Sequence, residues 1–414
     1  MKRALFAIVL GLCCSSPLAA QNMRFVWGQH PSLRAGDWLR VDFRARFQGD
    51  VRKSEALSDV DAEAETLDIA RRRVGIEGRF ADFFDYQVEY ELRTAERPWR
   101  DVYLNYGQFD AFQIRAGKFK LPFSVDENTS STGLDFIYRS RMASRLAPGR
   151  ERGVMVHGNV ANNVFGYEAG VFQHDGDNGR PPSISTRVFG GRTTVARVIF
   201  QPFRIPKSTI DDFEVGVAFS GTTVPEGFPA LRGRTALGPK FFDSDLWVNG
   251  RRLRTGFEAR WRPGPVSIQS EYIRVTDERN GQSVEDTDLS SFLAQGWYVS
   301  GSFAVTGEQK SDGLDEPRRP FLRGGLGAIE LAARFEKLSF GSTAGSGEAS
   351  TSPRADAVLG NSDVAVTLGV NWYLNRWVKI QANLIRERIE DSSRGPLPAQ
   401  VGFWSRVLRF QLSL

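Results

Sequence analysis

Leu39-Arg40-Val41-Asp42-Phe43-Arg44-Ala45-Arg46-Phe47 puts an apolar residue at every odd position and a charged one at every even position. Successive side chains of a β-strand point to opposite faces, so this stretch reads as a strand with one greasy side and one wet side. Phe84 to Arg93 repeats the beat, with Phe84, Tyr86, Val88, Tyr90 and Leu92 against Asp85, Gln87, Glu89, Glu91 and Arg93. Leu253 to Arg262 does so again.

Marking every such segment along the 414 residues yields about sixteen: 37–47, 67–80, 84–93, 99–107, 111–120, 150–160, 163–173, 192–201, 211–220, 252–262, 264–276, 295–306, 327–339, 363–374, 376–387 and 402–414. Many exceed the ~5–6 residues of a globular strand. They approach the ~9–11 needed to cross a bilayer at a tilt. Connections alternate as well. Ala81-Asp82-Phe83, Gln108-Phe109-Asp110, Asn162, Pro263 and Asn375 mark short turns, whereas 48–66, 121–149, 174–191, 221–251, 277–294, 340–362 and 388–401 are long. Two connections break the rule: 94–98 is short on the long side, and 307–326 is long on the short side. Short turns at one end and long loops at the other are the pattern of an outer-membrane barrel. The expected fold is therefore all-β, a transmembrane antiparallel β-barrel of about 16 strands, with short periplasmic turns and long extracellular loops.

A soluble sandwich also alternates, but with shorter strands and without a wet face charged along its whole length. Trp261, Trp297, Trp372, Trp377 and Trp404 fall near segment ends, where a bilayer-spanning barrel carries its aromatic girdles. A Lys or Arg on the lipid face at mid-bilayer costs about 2–4 kcal/mol. Arg40, Arg44, Arg46, Arg254 and Arg260 are accordingly expected to face the lumen. Around sixteen strands leave that lumen too wide for side chains to fill.

Lys2 and Arg3, the apolar stretch Leu5 to Cys14, and Pro17-Leu18-Ala19-Ala20 form an export signal over residues 1–20. A short periplasmic leader, 21–36, and the barrel, 37–414, follow. Both cysteines lie in the signal, so no disulfide, thiol nucleophile or cysteine metal site is expected. Net charge is +5, or +3 without Lys2 and Arg3. Of the 54 basic residues nine are lysine and 45 arginine, a bias suited to carboxylate or phosphate oxygens. His30, His157 and His174 are scattered, so no metal, cofactor or catalysis is expected, and an exported barrel offers no nucleic-acid surface.

From Arg71 to Gly158 the chain resembles the phosphate-selective porin O and P family. The resemblance is carried by Arg71-Arg72-Arg73-Val74-Gly75-Ile76-Glu77-Gly78, Tyr86 to Leu92, Asp101-Val102-Tyr103-Leu104-Asn105-Tyr106, Arg115 to Phe123, and Ala147-Pro148-Gly149-Arg150. Gly327 to Phe335 and Leu368 to Asn375 continue it. The resemblance implies a homotrimeric outer-membrane porin with an inward-folded third loop, passing inorganic phosphate or polyphosphate and surrounded by outer-membrane lipid. Leu414 departs from the aromatic residue with which such barrels often end.

The candidate anion-binding residues are Arg139, Arg141, Arg145, Arg150 and Arg152 around the third loop, and Arg40, Arg44, Arg46, Arg73, Arg79, Arg93 and Arg115 on the wall. Lys118 and Lys120 join them at the loop root, with their facing left open. Two blander alternatives stand beside this. The arginines would merely pair with Asp42, Glu77, Glu89, Glu91 and Glu258, or the channel would be a general or sugar-type pore without phosphate specificity.

Overall fold

A computed structural model describes residues 23–28, 30–56, 66–94, 98–179, 190–203, 212–311, 313–314, 316–344, 348–395 and 400–414. The export signal expected over 1–20 lies outside them. Sixteen antiparallel strands close on themselves. The first nine are β3 (Leu39–Ser54), β4 (Thr66–Phe80), β5 (Phe84–Glu91), β6 (Trp99–Phe109), β7 (Phe112–Lys120), β8 (Arg150–Val160), β9 (Phe165–Phe172), β10 (Thr193–Phe200) and β11 (Glu214–Pro229). The remaining seven are β14 (Trp247–Trp261), β15 (Val266–Arg279), β16 (Leu289–Ala304), β17 (Ala328–Ser342), β18 (Asn361–Tyr373), β19 (Val378–Ile389) and β20 (Gly402–Ser413). Closure runs from Ser405 opposite Ser54 to Ser413 opposite Arg46. It leaves no open edge, which lipid could not solvate.

Alternation decides which face meets what. Phe43, Phe47, Val74, Phe257, Phe335 and Leu408 are exposed on the outside. Arg46, Glu89, Arg254, Glu336 and Arg409, from the opposite parity, are buried within. Tight turns at the periplasmic end take the left-handed backbone that such hairpins require, at Ala81 and Asp82 and at Ala161, Asn162 and Asn163.

Several strands outrun the sequence expectation. β3 continues to Ser54 rather than stopping at 47, β11 reaches Pro229 rather than 220, and β16 begins at Leu289 rather than 295. Beyond the bilayer both faces are wet, so the apolar beat stops while backbone pairing continues, as in Thr223 opposite Arg251. Within the stretch expected as a leader, β1 (Met23–Trp27) and β2 (Pro31–Ala35) form a hairpin. β2 pairs with β3 from Ser32 opposite Asp42 to Ala35 opposite Leu39, directly below β20. A further small hairpin, β12 (Gly233–Arg234) with β13 (Lys240–Phe242), lies in the loop after β11.

The third long loop, 121–149, folds into the lumen. It contains α1 (Val125–Asn128), capped by Ser124, and α2 (Arg141–Leu146), capped by Ser140. Phe123, Ile137, Met142 and Leu146 are fully buried. Its backbone is satisfied by the far wall. Glu271 accepts from Val125 and Asp126, Glu336 accepts from the Arg141 amide at 2.7 Å, and Asn383 accepts from Ile137 at 2.8 Å. The long periplasmic connection 305–327 rises to meet it, where Lys310 Nζ donates to Asp135 Oδ1 of the loop at 2.6 Å and to Glu330 of β17.

Candidate functional site

Docked against β15–β20, the loop leaves water on the other side of the barrel. A cavity of about 730 Å³ lies between the loop and the wall formed by β3–β10. Thirteen cationic side chains line it against six carboxylates. Arg44, Arg46 and Arg73 also border a second cavity of about 170 Å³ toward the periplasm, where Lys379, Arg376 and His30 take over. These three arginines thus stand at the neck between the two chambers.

Bonding sorts the cations. Arg150 is held by both oxygens of Asp101, at 2.8 and 3.1 Å. Arg73 bridges Glu89 at 3.0 Å and Glu91 at 2.9 Å, and Arg197 spans Glu168 and Glu258. Others have little opposing charge among the described residues. Arg71 donates only to the neutral Gln48 amide oxygen, at 2.6 Å. Arg115 lies over the Tyr103 ring, 4.6 Å from its centroid. Arg100 has Asp177 no nearer than 3.9 Å. Lys120 donates to the backbone carbonyls of Glu127 and Thr129. Among the described residues Arg145 has no carboxylate partner, and burial, with Arg234 nearby, pulls its pKa down to about 10, so it remains charged at neutral pH.

Such a surface can replace part of the hydration of a passing anion without trapping it. The paired arginines hold fixed geometry, while the unpaired ones present free donors.

The chain matches the family described as Phosphate-selective porin O and P over residues 41–203 and 237–412. The chain belongs to that family. It is an outer-membrane porin. Porin O of Pseudomonas aeruginosa is 23% identical over 393 residues, covering 87% of this chain and 83% of that one. Among solved structures, OmpT of Vibrio cholerae superposes with a TM-score of 0.56 at 11% identity, covering 94% of the porin and 100% of OmpT. An anion-selective porin from Comamonas acidovorans gives 0.54 at 11% identity, with 90% and 99% covered. At these identities the structures speak for the fold alone.

Of the residues expected in the pore, Arg139, Arg141, Arg145, Arg150, Arg44, Arg46, Arg73, Arg93, Arg115 and Lys120 line the large cavity. Two expectations are corrected. Lys118 and Arg152 pair across β7 and β8 and share an outer-surface depression with Val102 and Val154. Their parity carries them to the lipid side, whereas Lys120, at the strand end, turns inward toward the loop. Arg40 and Arg79 sit at the periplasmic mouth outside both cavities, bound to Asp42 at 3.0 Å and Asp85 at 2.7 Å. Arg71, Arg100 and Arg197 were missed. Arg71 shares the parity of Arg73, and that parity was signal enough to find it. Arg100 stands at a strand end, and nothing in its own sequence context marks it.

Proposed function

We propose that the porin passes small anions preferentially, with inorganic phosphate or polyphosphate favoured, along the path between the third loop and β3–β10. The observation that carries this is the excess of thirteen cations over six carboxylates around one cavity. Arg71, Arg115 and Arg145 offer unopposed donors there, while Arg44, Arg46 and Arg73 guard the neck. Planar guanidinium forks match phosphate oxygens better than chloride does. Catalysis has no place in this reading. The porin works as a homotrimer, as the resemblance implies, after removal of residues 1–20. A trimer form of Vibrio cholerae OmpT is among the similar structures.

Bilayer recording in asymmetric potassium chloride tests it. The expected reversal potential has the sign of anion preference, and added phosphate suppresses the chloride current. A cation preference overturns the proposal. Anion preference with chloride current indifferent to phosphate leaves the second reading, a general diffusion pore.

A further inference from the structure

On the outer face of the barrel, apolar runs end toward the extracellular side in a cation. On β17 Leu331, Ala333 and Phe335 give way to Lys337, and on β19 Ala382 and Leu384 give way to Arg386. On β20 Phe410 and Leu408 lead up to Arg406, with the exposed Trp404 one step further out. Arg274 stands above Tyr272 on β15, Arg152 above Val154 on β8, and Arg72 above Val74 on β4. All six share the parity of exposed apolar neighbours such as Phe335, Leu384, Leu408 and Val154. Arg386 lies 5.3 Å from the Trp404 ring centroid, at the level of an aromatic girdle. Among the described residues, none of the six side chains forms an ion pair. At the periplasmic end the same rows finish in Ile329, Val378, Leu412, Val266, Val160 and Phe80, with no cation.

An unpaired guanidinium or ammonium at the edge of hydrocarbon needs an anionic partner from outside the chain. The six cations stand on one rim only, so their partner has to be met in one leaflet. We propose that this belt binds the phosphate groups of phosphorylated outer-leaflet lipids, anchoring the porin at a fixed depth. The belt faces away from the lumen, so it is separate from the anion path.

The porin in neutral detergent is titrated with a bisphosphorylated glucosamine-disaccharide lipid and with the same lipid stripped of both phosphates. The phosphorylated form is expected to bind about ten-fold tighter. The triple variant R274Q/K337Q/R406Q loses most of that margin, while its conductance in uncharged lipid stays at the wild-type value. Equal affinity of the wild type for the two lipids overturns the proposal without recourse to any variant. So does competition by inorganic phosphate at the lipid's own concentration, which would assign the belt to the free ion. Loss of oligomers in the variant with the lipid margin intact would assign the face to a second copy and overturn it too.

Discussion

Arg73 on β4 and Arg409 on β20 are both buried lumen arginines bonded to carboxylates, yet only Arg73 borders open water. Arg409 is fixed by both oxygens of Asp50, at 2.6 and 2.7 Å, and by the Ile137 carbonyl of the third loop at 2.7 Å. The β15–β20 wall repeats this arrangement. Arg141 reaches from the loop to Asp363, Glu387 and Glu336, and Lys379 donates to the Thr132 and Leu134 carbonyls. One half of the barrel uses its charges to hold the loop, whereas in the other half some, such as Arg71 and Arg115, face the water with no carboxylate bound among the described residues. Charged residues of the same kind thus perform two jobs, and the position of the loop decides which.

The largest effect is expected from Arg141→Ala. It strands Asp363 and Glu387, both fully buried, and leaves Glu336 to Arg334 alone; removing one partner of such a group costs about 3–5 kcal/mol. The loop should loosen, with a lower Tm and noisier, larger single-channel conductance. An unchanged trace would mean that the sealed half does not depend on this cluster. Arg71→Ala or Arg115→Ala should act the opposite way, leaving stability near wild type. Loss of one unit charge about 4 Å from the ion path is worth ~1 kcal/mol in water, roughly five-fold in local anion occupancy. Reversal potentials would report it.

Salt should separate the halves further. Anion preference is expected to weaken between 0.1 and 1 M salt as the screening length falls from about 10 to 3 Å, while the buried loop contacts hold. Alkali should discharge Arg145, because burial lowers its pKa to about 10 in the folded state, where 12.5 is the ordinary value. Between those values the unfolded chain binds more protons, so this group favours folding more as pH rises, while anion preference declines. The smallest effect belongs to Arg79→Gln. An exposed pair at the mouth contributes about 0.2–1 kcal/mol or less, and selectivity should not move.

Lipid made much of the fold legible before any coordinates. It forces strict alternation on each crossing strand, so Arg44, Arg46 and Arg73 could be assigned to the lumen from parity alone. Where lipid stops acting, the signal stops. Thus the upper part of β3 and the β1–β2 hairpin went unseen, and Lys118 could not be told from Lys120. Pairing was illegible for a different reason. Whether an arginine is clamped depends on its neighbour across the sheet, as with Arg150 on Asp101, 49 residues away in the chain. Which wall the loop would cover depends on Glu271, Glu336 and Asn383, more than a hundred residues beyond it.

The seam between β3 and β20 carries a kinetic consequence. Ser54 meets Ser405 across 351 residues, so the first barrel strand must wait for nearly the entire polypeptide before its second edge is satisfied. Until then two ribbons of bare amides face hydrocarbon, and every incomplete intermediate is worse off than the finished cylinder. Insertion should therefore be slow, all-or-none and dependent on helpers that shield those ribbons.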